Sequence, residues 1–220
     1  LCDAVAGRTT HPVAFTVGGV GSAPEIPTLR ALRGELEQAL ADLDAVAAVL
    51  AGFEVPDFTR ETEFVALHGE EDYPFIGGRL ASTDGVLRSE EEYLEMTNEY
   101  LDPNNTSKWS RLSRDAYAVG PLARFNLNHH LLHPDARAAA SALGLEPVCH
   151  NPFMAHAARL AECVHCVHAA VALLDEIAAE PAAPLAVTPT ARAGEGVGAV
   201  EAPRGILFHH YTYGAQGRIE

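Results

Sequence analysis

Glu201, Ala202, Pro203, Arg204 and Gly205 run directly into the apolar stretch Ile206-Leu207-Phe208, followed by His209, His210 and Tyr211. Proline fixes φ and has no N–H to satisfy. Arginine offers a rigid fork of donors and keeps its charge even when buried. Glycine lets the backbone come close to a bound group. A rigid turn built from these three suits a small anionic ligand. The plainer reading is a surface turn in which Arg204 pairs with Glu201. Side chains alternate along the strand that follows, so at most one of His209 and His210 faces the turn's site, and neither is assigned a catalytic role.

A second candidate is Cys163-Val164-His165-Cys166-Val167-His168, which offers metal donors within one short stretch. Each helical residue advances about 100° around the axis, so with Cys163 as origin Cys166 falls at about 300°, His165 at about 200° and His168 at about 140°. The thiols share one face and the imidazoles another. Four ligands on opposite sides of a rod cannot close a tetrahedron. Phe153, Leu160, Val164, Val167, Val171 and Leu174 make the same stretch apolar nearly all round, which marks a buried helix. Free cysteine is also among the most buried residue types. The cluster therefore reads as packing, and no metal ligand is assigned to the chain. Gly18-Gly19-Val20-Gly21 lacks the G-x-G-x-x-G spacing and is followed by Pro24 and Pro27. Gly194-Glu195-Gly196-Val197-Gly198 follows no predicted strand. Neither reads as a phosphate loop.

Near the N-terminus stands Gly7-Arg8-Thr9-Thr10-His11-Pro12, then Gly18-Gly19. With Glu201-Ala202-Pro203-Arg204-Gly205, with Val119-Gly120-Pro121-Leu122-Ala123-Arg124-Phe125-Asn126-Leu127-Asn128, with Asn151-Pro152-Phe153 and with Ala158-Arg159-Leu160-Ala161-Glu162, it forms an ordered set across nearly the whole chain. The set resembles the large subunit of nickel–iron hydrogenases, in the cytoplasmic, NAD(P)-linked or sulfhydrogenase-like branch. The resemblance implies a Ni-Fe(CN)2(CO) centre in the full-length subunit. It implies backbone contacts to that centre from Ala202 and Pro203, and the Arg204 guanidinium above it as the catalytic group. Charged cyanide ligands in a dry cavity are suited to charge-assisted hydrogen bonds. It implies further that His11 faces an iron–sulfur partner subunit and tunes its cluster, the plainer reading of His11 being a buried, backbone-satisfied histidine. Arg8 reads as structural. Dihydrogen would be the substrate, and flavin subunits using NAD(P) would take the electrons.

Departures from the family's pattern matter as much. Cys2, Cys149, Cys163 and Cys166 are the only cysteines, and none lies in the paired contexts that hold the metals in the family. Soft thiolates are what such a centre needs. The expectation is that residues 1–220 are one partial domain, the middle of a longer subunit, inactive alone. Two other readings remain: a non-catalytic relative of the quinone-side subunit of respiratory complex I, and a metal-free structural or assembly module. Composition bounds the rest. With 48% hydrophobic and 20% charged residues the chain can build a core. A formal net charge of −15 argues against nucleic acid and anionic membranes. No run approaches the roughly 18 apolar residues that span a bilayer. Scattered cysteines do not make a disulfide framework, which fits a cytoplasmic location.

The positioning elements follow from periodicity. Residues 1–26 read as extended. Leu29, Leu32, Leu36, Leu40, Leu43, Val46, Ala47 and Leu50 define an amphipathic helix over 28–52, stopped by Gly52. A strand is predicted over 61–67 and a hairpin over 74–88 around Asp84-Gly85. Ser89 and Glu92 form a capping box for a helix to about Leu101. Residues 102–115 read as loop, 132–143 as a helix closed by Gly144, 152–179 as a long helix and 181–198 as an irregular connection. The class is α+β, mainly α, with small peripheral strands and the two long helices packed together.

Overall fold

The computed structural model describes residues 1–179 and 185–220. A short helix α1 (Cys2–Ala6) and the paired strands β1 (Phe15–Thr16) and β2 (Gly19–Val20) replace the wholly extended N-terminal segment expected. The long helix α2 (Ile26–Ala51) follows. Then come β3 (Glu63–His68), β4 (Arg79–Ser82) and β5 (Leu87–Arg88). The capping box at Ser89 and Glu92 is formed, but its helix α3 covers only Tyr93–Thr97. Asn98 ends it in a left-handed conformation, and β6 (Tyr100–Leu101), at the end of the expected helix, pairs with β7 (Lys108–Trp109) in the expected loop. The strand β8 (Tyr117–Ala118) precedes α4 (Pro121–Asn128), α5 (Pro134–Ala142) and α6 (Ala155–Ala179), and the chain closes with β9 (Gly194–Ala202) and β10 (Gly205–Tyr213).

Four strands form a sheet in the order β5-β4-β3-β8, with β3 and β8 parallel and the other pairs antiparallel. β3 is buried on both faces. Alternation explains how one strand serves two cores. Phe64 and Ala66 point into the helical core with Leu122, Phe125, Leu145, Ala158 and Val164. Val65 and Leu67 point into a second core with Leu80, Met96 and Ala199, flanked by Ile206 and Phe208 of the last hairpin. The α+β class holds, and within it this strand lies between the two cores.

α2 packs along α6, as the two apolar stripes required. α6 and the one-turn segment before it, Pro152–Ala179, are long and apolar enough by length and composition to cross a membrane, contrary to the reading of the sequence. In this fold its first half is a core element, with Ala157, Ala158, Leu160, Ala161 and Val164 buried and α2, α4 and α5 against the helix. Leu173 and Ile177 of its second half are exposed, contrary to the expectation of a buried helix. The expected connection over 181–198 is shorter than thought. Residues 180–184 lie outside the described residues, and 194–198 belong to β9. The glycine-rich segment 194–198 is strand, which removes the loop geometry a phosphate site needs.

Candidate functional site

β9 and β10 form an antiparallel hairpin in which Ala202 is opposite Gly205, so Pro203 and Arg204 make a two-residue turn. Two glycines seat this turn. Gly205 lies so close to the segment leading into α4 that an added Cβ would stand 2.5 Å from the Val119 side chain. Gly120 has φ of 89°, and a Cβ there would stand 2.8 Å from the Arg204 carbonyl oxygen. Only glycine takes that conformation and that approach without strain. The Gly120-Pro121 pair thus has a structural cause: glycine beneath the turn, then proline at the first position of α4, where no N–H is wanted.

One helical turn further on, Arg124 is 1% exposed and forms the centre of a buried network. Its Nε and Nη2 donate to the two carboxylate oxygens of Glu162 on α6, at 2.5 and 2.8 Å. Its Nη1 donates to Glu201 Oε2 at 2.9 Å and to the Ala202 carbonyl at 2.8 Å. Glu201 Oε1 accepts the Leu67 N–H at 2.8 Å, and the Tyr73 hydroxyl donates to Glu162 at 2.8 Å. Burial opposes the Arg124 charge, but the two carboxylates more than offset it and hold its pKa above the usual value. Burial pushes Glu201 up, against the Leu67 N–H and Arg124, which favour its charged form. Tyr73 is held well above the ordinary phenol range, by burial first and then by Glu162. This network fixes the base of the turn, and it removes the plainer reading of Arg204: Glu201 pairs with Arg124 instead.

Arg204 is exposed and makes no hydrogen bond or ion pair among the described residues. Ala202 and Pro203 line a cleft of about 440 Å³ with Phe75, Arg159, Cys163 and Cys166. Arg204, next in the turn, does not itself line it. Cys163 and Cys166 share the cleft face of α6, while His165 and His168 face α5, as the helical geometry required. Both thiols are exposed, contrary to the expectation that they are packed. Partial burial still raises them, Cys166 to about 11, so they remain protonated at neutral pH.

The N-terminal motif lies apart. His11 is exposed, which removes the reading of a buried, backbone-satisfied histidine, and Arg8 is exposed too. His11 shares no hydrogen bond, ion pair or cavity with Arg204 among the described residues. Gly18 and Gly19 do have a role: the Val187 N–H donates to the Gly18 carbonyl and the Val20 N–H to the Leu185 carbonyl, at 2.9 and 2.8 Å. A Cβ on Gly19 would collide with the Leu185 carbonyl oxygen. This pair of glycines is a packing seam. Asn151 accepts the Phe153 N–H and donates to the Pro56 carbonyl, and Asn126 exchanges two hydrogen bonds with the Cys149 backbone.

No protein-family model matches the chain. It is 27% identical over 212 residues to sulfhydrogenase 1 subunit alpha of Pyrococcus furiosus, an alignment covering 95% of this chain and 49% of that one. It is 29% identical to the NAD-reducing hydrogenase HoxS subunit beta of Cupriavidus necator, over 70% of this chain and 35% of the relative. Among solved structures, an NAD+-reducing [NiFe]-hydrogenase in the H2-reduced state superposes with a TM-score of 0.79 at 25% identity, over 99% of this chain and 52% of that chain. This chain is a homologue of nickel–iron hydrogenase large subunits. It spans about half the length of the curated relatives it matches. The donor set does not fit the resident metals of such enzymes. The one group of three or more metal-capable side chains gathered among the described residues contains no cysteine, and Cys2 and Cys149 do not line the cleft holding Cys163 and Cys166. What this half does supply is a rigidly mounted Pro-Arg turn beside an apolar cleft.

Proposed function

We propose that this chain supplies the arginine-bearing wall of a hydrogenase large-subunit active site, in a polypeptide that oxidises dihydrogen and reduces protons. The metal ligands of that site lie outside these 220 residues. The reading rests on the seating of the Pro203-Arg204 turn. Gly120 and Gly205 bring the backbone onto α4, and Arg124 holds Glu201 and the Ala202 carbonyl from below. So mounted, Ala202 and Pro203 present backbone and ring to a bound group, and Arg204 presents a guanidinium that no carboxylate among the described residues neutralises. An unpaired, pre-positioned cation stabilises negative charge that develops on a neighbouring ligand or substrate. Exposed His11 faces an iron–sulfur small subunit in this reading. Electrons pass from there to flavin subunits using NAD(P), in the cytoplasm. The relatives' names support that branch.

The test is Arg204→Lys in the longest native polypeptide, produced with its partner subunits, with hydrogen-dependent dye reduction as readout. The expected result is a loss of turnover of about 10²-fold or more with unchanged fold. Normal turnover removes the role. The dispersed cysteines favour a second reading, a non-catalytic relative resembling the quinone-side subunit of complex I. Metal analysis of the same product separates the two: nickel and iron in near-equal amounts support the hydrogenase, and their absence supports the relative.

A further inference from the structure

On the opposite side of α6 from the cleft, three side chains from two helices converge. His133 is the N-cap of α5, Asp135 lies in its first turn, and His168 comes from α6. One nitrogen of each imidazole and one carboxylate oxygen of Asp135 all lie within 4.8 Å of one another. His168 Nε2 stands 3.0 Å from Asp135 Oδ2, and His133 Nδ1 stands 3.6 Å from the same oxygen. His168 Nε2 is nevertheless closed to solvent and has no hydrogen-bond partner among the described residues. A buried ring nitrogen facing a carboxylate oxygen without a hydrogen bond is an unfilled valence. The nearest arginine on α5, Arg137, is occupied with the His130 carbonyl at 2.8 Å.

We infer that His133, Asp135 and His168 form a binding site for a divalent transition-metal ion of zinc type, independent of the hydrogenase reaction. Two imidazoles and a carboxylate are borderline donors that suit Zn²⁺ and its neighbours rather than Mg²⁺ or Ca²⁺. Ligand nitrogens and oxygens about 2.0–2.2 Å from a tetrahedral zinc lie a little over 3 Å apart, and two of the present separations are 3.0 and 3.6 Å. The two rings are stacked, with centroids 3.7 Å apart and planes 12° from parallel. Stacked rings cannot both aim lone pairs at one ion, and His133 Nδ1 already accepts the Asp135 N–H at 3.2 Å as the α5 N-cap, so binding turns His133 out of the stack and breaks that cap bond. It is the more exposed of the two, at 37% against 24%. His165 buttresses the site: its Nδ1 accepts the His133 N–H at 3.1 Å and ties the α5 N-terminus to α6. Water completes the coordination on the exposed side, next to Asp135.

The test is calorimetric titration of Zn²⁺ into the metal-free chain, against a chelator of known affinity. One equivalent should bind, and binding should persist in Cys163→Ser/Cys166→Ser. His168→Gln and Asp135→Asn should each weaken it at least about tenfold. In the unaltered chain zinc should protect His133 and His168, alone among the histidines, from acylation by diethyl pyrocarbonate read by mass spectrometry. This second measurement does not depend on any variant folding. Affinity within twofold of wild type in both variants, protection at other histidines, or a thiolate-to-metal charge-transfer band when Co²⁺ replaces Zn²⁺ would overturn the site. Hydrogenase turnover should be unchanged in His168→Gln, so failure here leaves the reading of Arg204 untouched.

Discussion

The base of one hairpin turn, at Glu201 and Ala202, and its tip, at Arg204, treat an arginine in opposite ways. At the base, Arg124 is 1% exposed and surrounded by Glu162, Glu201 and the Ala202 carbonyl. At the tip, Arg204 is exposed and unpaired among the described residues. A buried guanidinium must be neutralised, because an uncompensated charge in the interior costs several kcal/mol. A guanidinium meant to act on another group must not be. Among the described residues the fold places two carboxylates below the turn and none against Arg204, and that division separates the residue that positions from the residue proposed to act.

The largest effect should come from breaking the base. Arg124→Leu leaves two buried carboxylates facing each other and should cost about 3–5 kcal/mol in denaturant unfolding. A cost near zero would mean the network is ornamental. Gly120→Ala attacks the seam between base and tip. It puts a side chain at φ of 89° and 2.8 Å from the Arg204 carbonyl, and should cost about 1–3 kcal/mol.

A third measurement sharpens the comparison from outside the hairpin. Burial, and then His133, hold His165 below its usual pKa of 6.5. The unfolded chain then binds the proton better than the folded one. The contribution of His165 is complete above pH 6.5 and is lost as pH falls through the lower folded value. His133 shifts the same way. The melting temperature should drop as pH is lowered below 6.5, and His165→Phe should flatten that slope while leaving the Arg124→Leu penalty unchanged. The smallest effect belongs to the tip: Arg204→Ala should alter stability by no more than about 0.5 kcal/mol. A large loss of stability there would show that the tip, too, is structural.

Much of this arrangement was legible in order but not in depth. Periodicity located α2 and α6 because their stripes repeat at three and four residues, and Asp84-Gly85 and Gly144 marked turns that do form. The Pro-Arg-Gly turn was legible because each residue type restricts the backbone in its own way. The partner of Glu201 was not. Arg124 lies 77 residues away in the chain, and nothing in linear spacing distinguishes a buried arginine from a solvated one. The signal was indirect, in Arg124 lying one turn after a Gly-Pro pair. The exposure of Cys163 and Cys166 was missed because apolar content around a helix does not say where a cleft opens. β9 was missed because five alternating glycine and non-glycine residues read as loop, whereas pairing with the β-branched and aromatic residues of β10 carries them as strand.

The short helix α4 touches the hairpin at two heights: backbone against backbone at Gly120 and guanidinium against carbonyl at Arg124. It is a two-point mount. An extra residue before Gly194 would be absorbed in the irregular chain leading to the hairpin. An extra residue between Gly120 and Arg124 would swing one contact by about 100° relative to the other. The hairpin therefore cannot be transplanted alone: any chimaera that keeps its aim must carry residues 119–124 with it, as a single cassette.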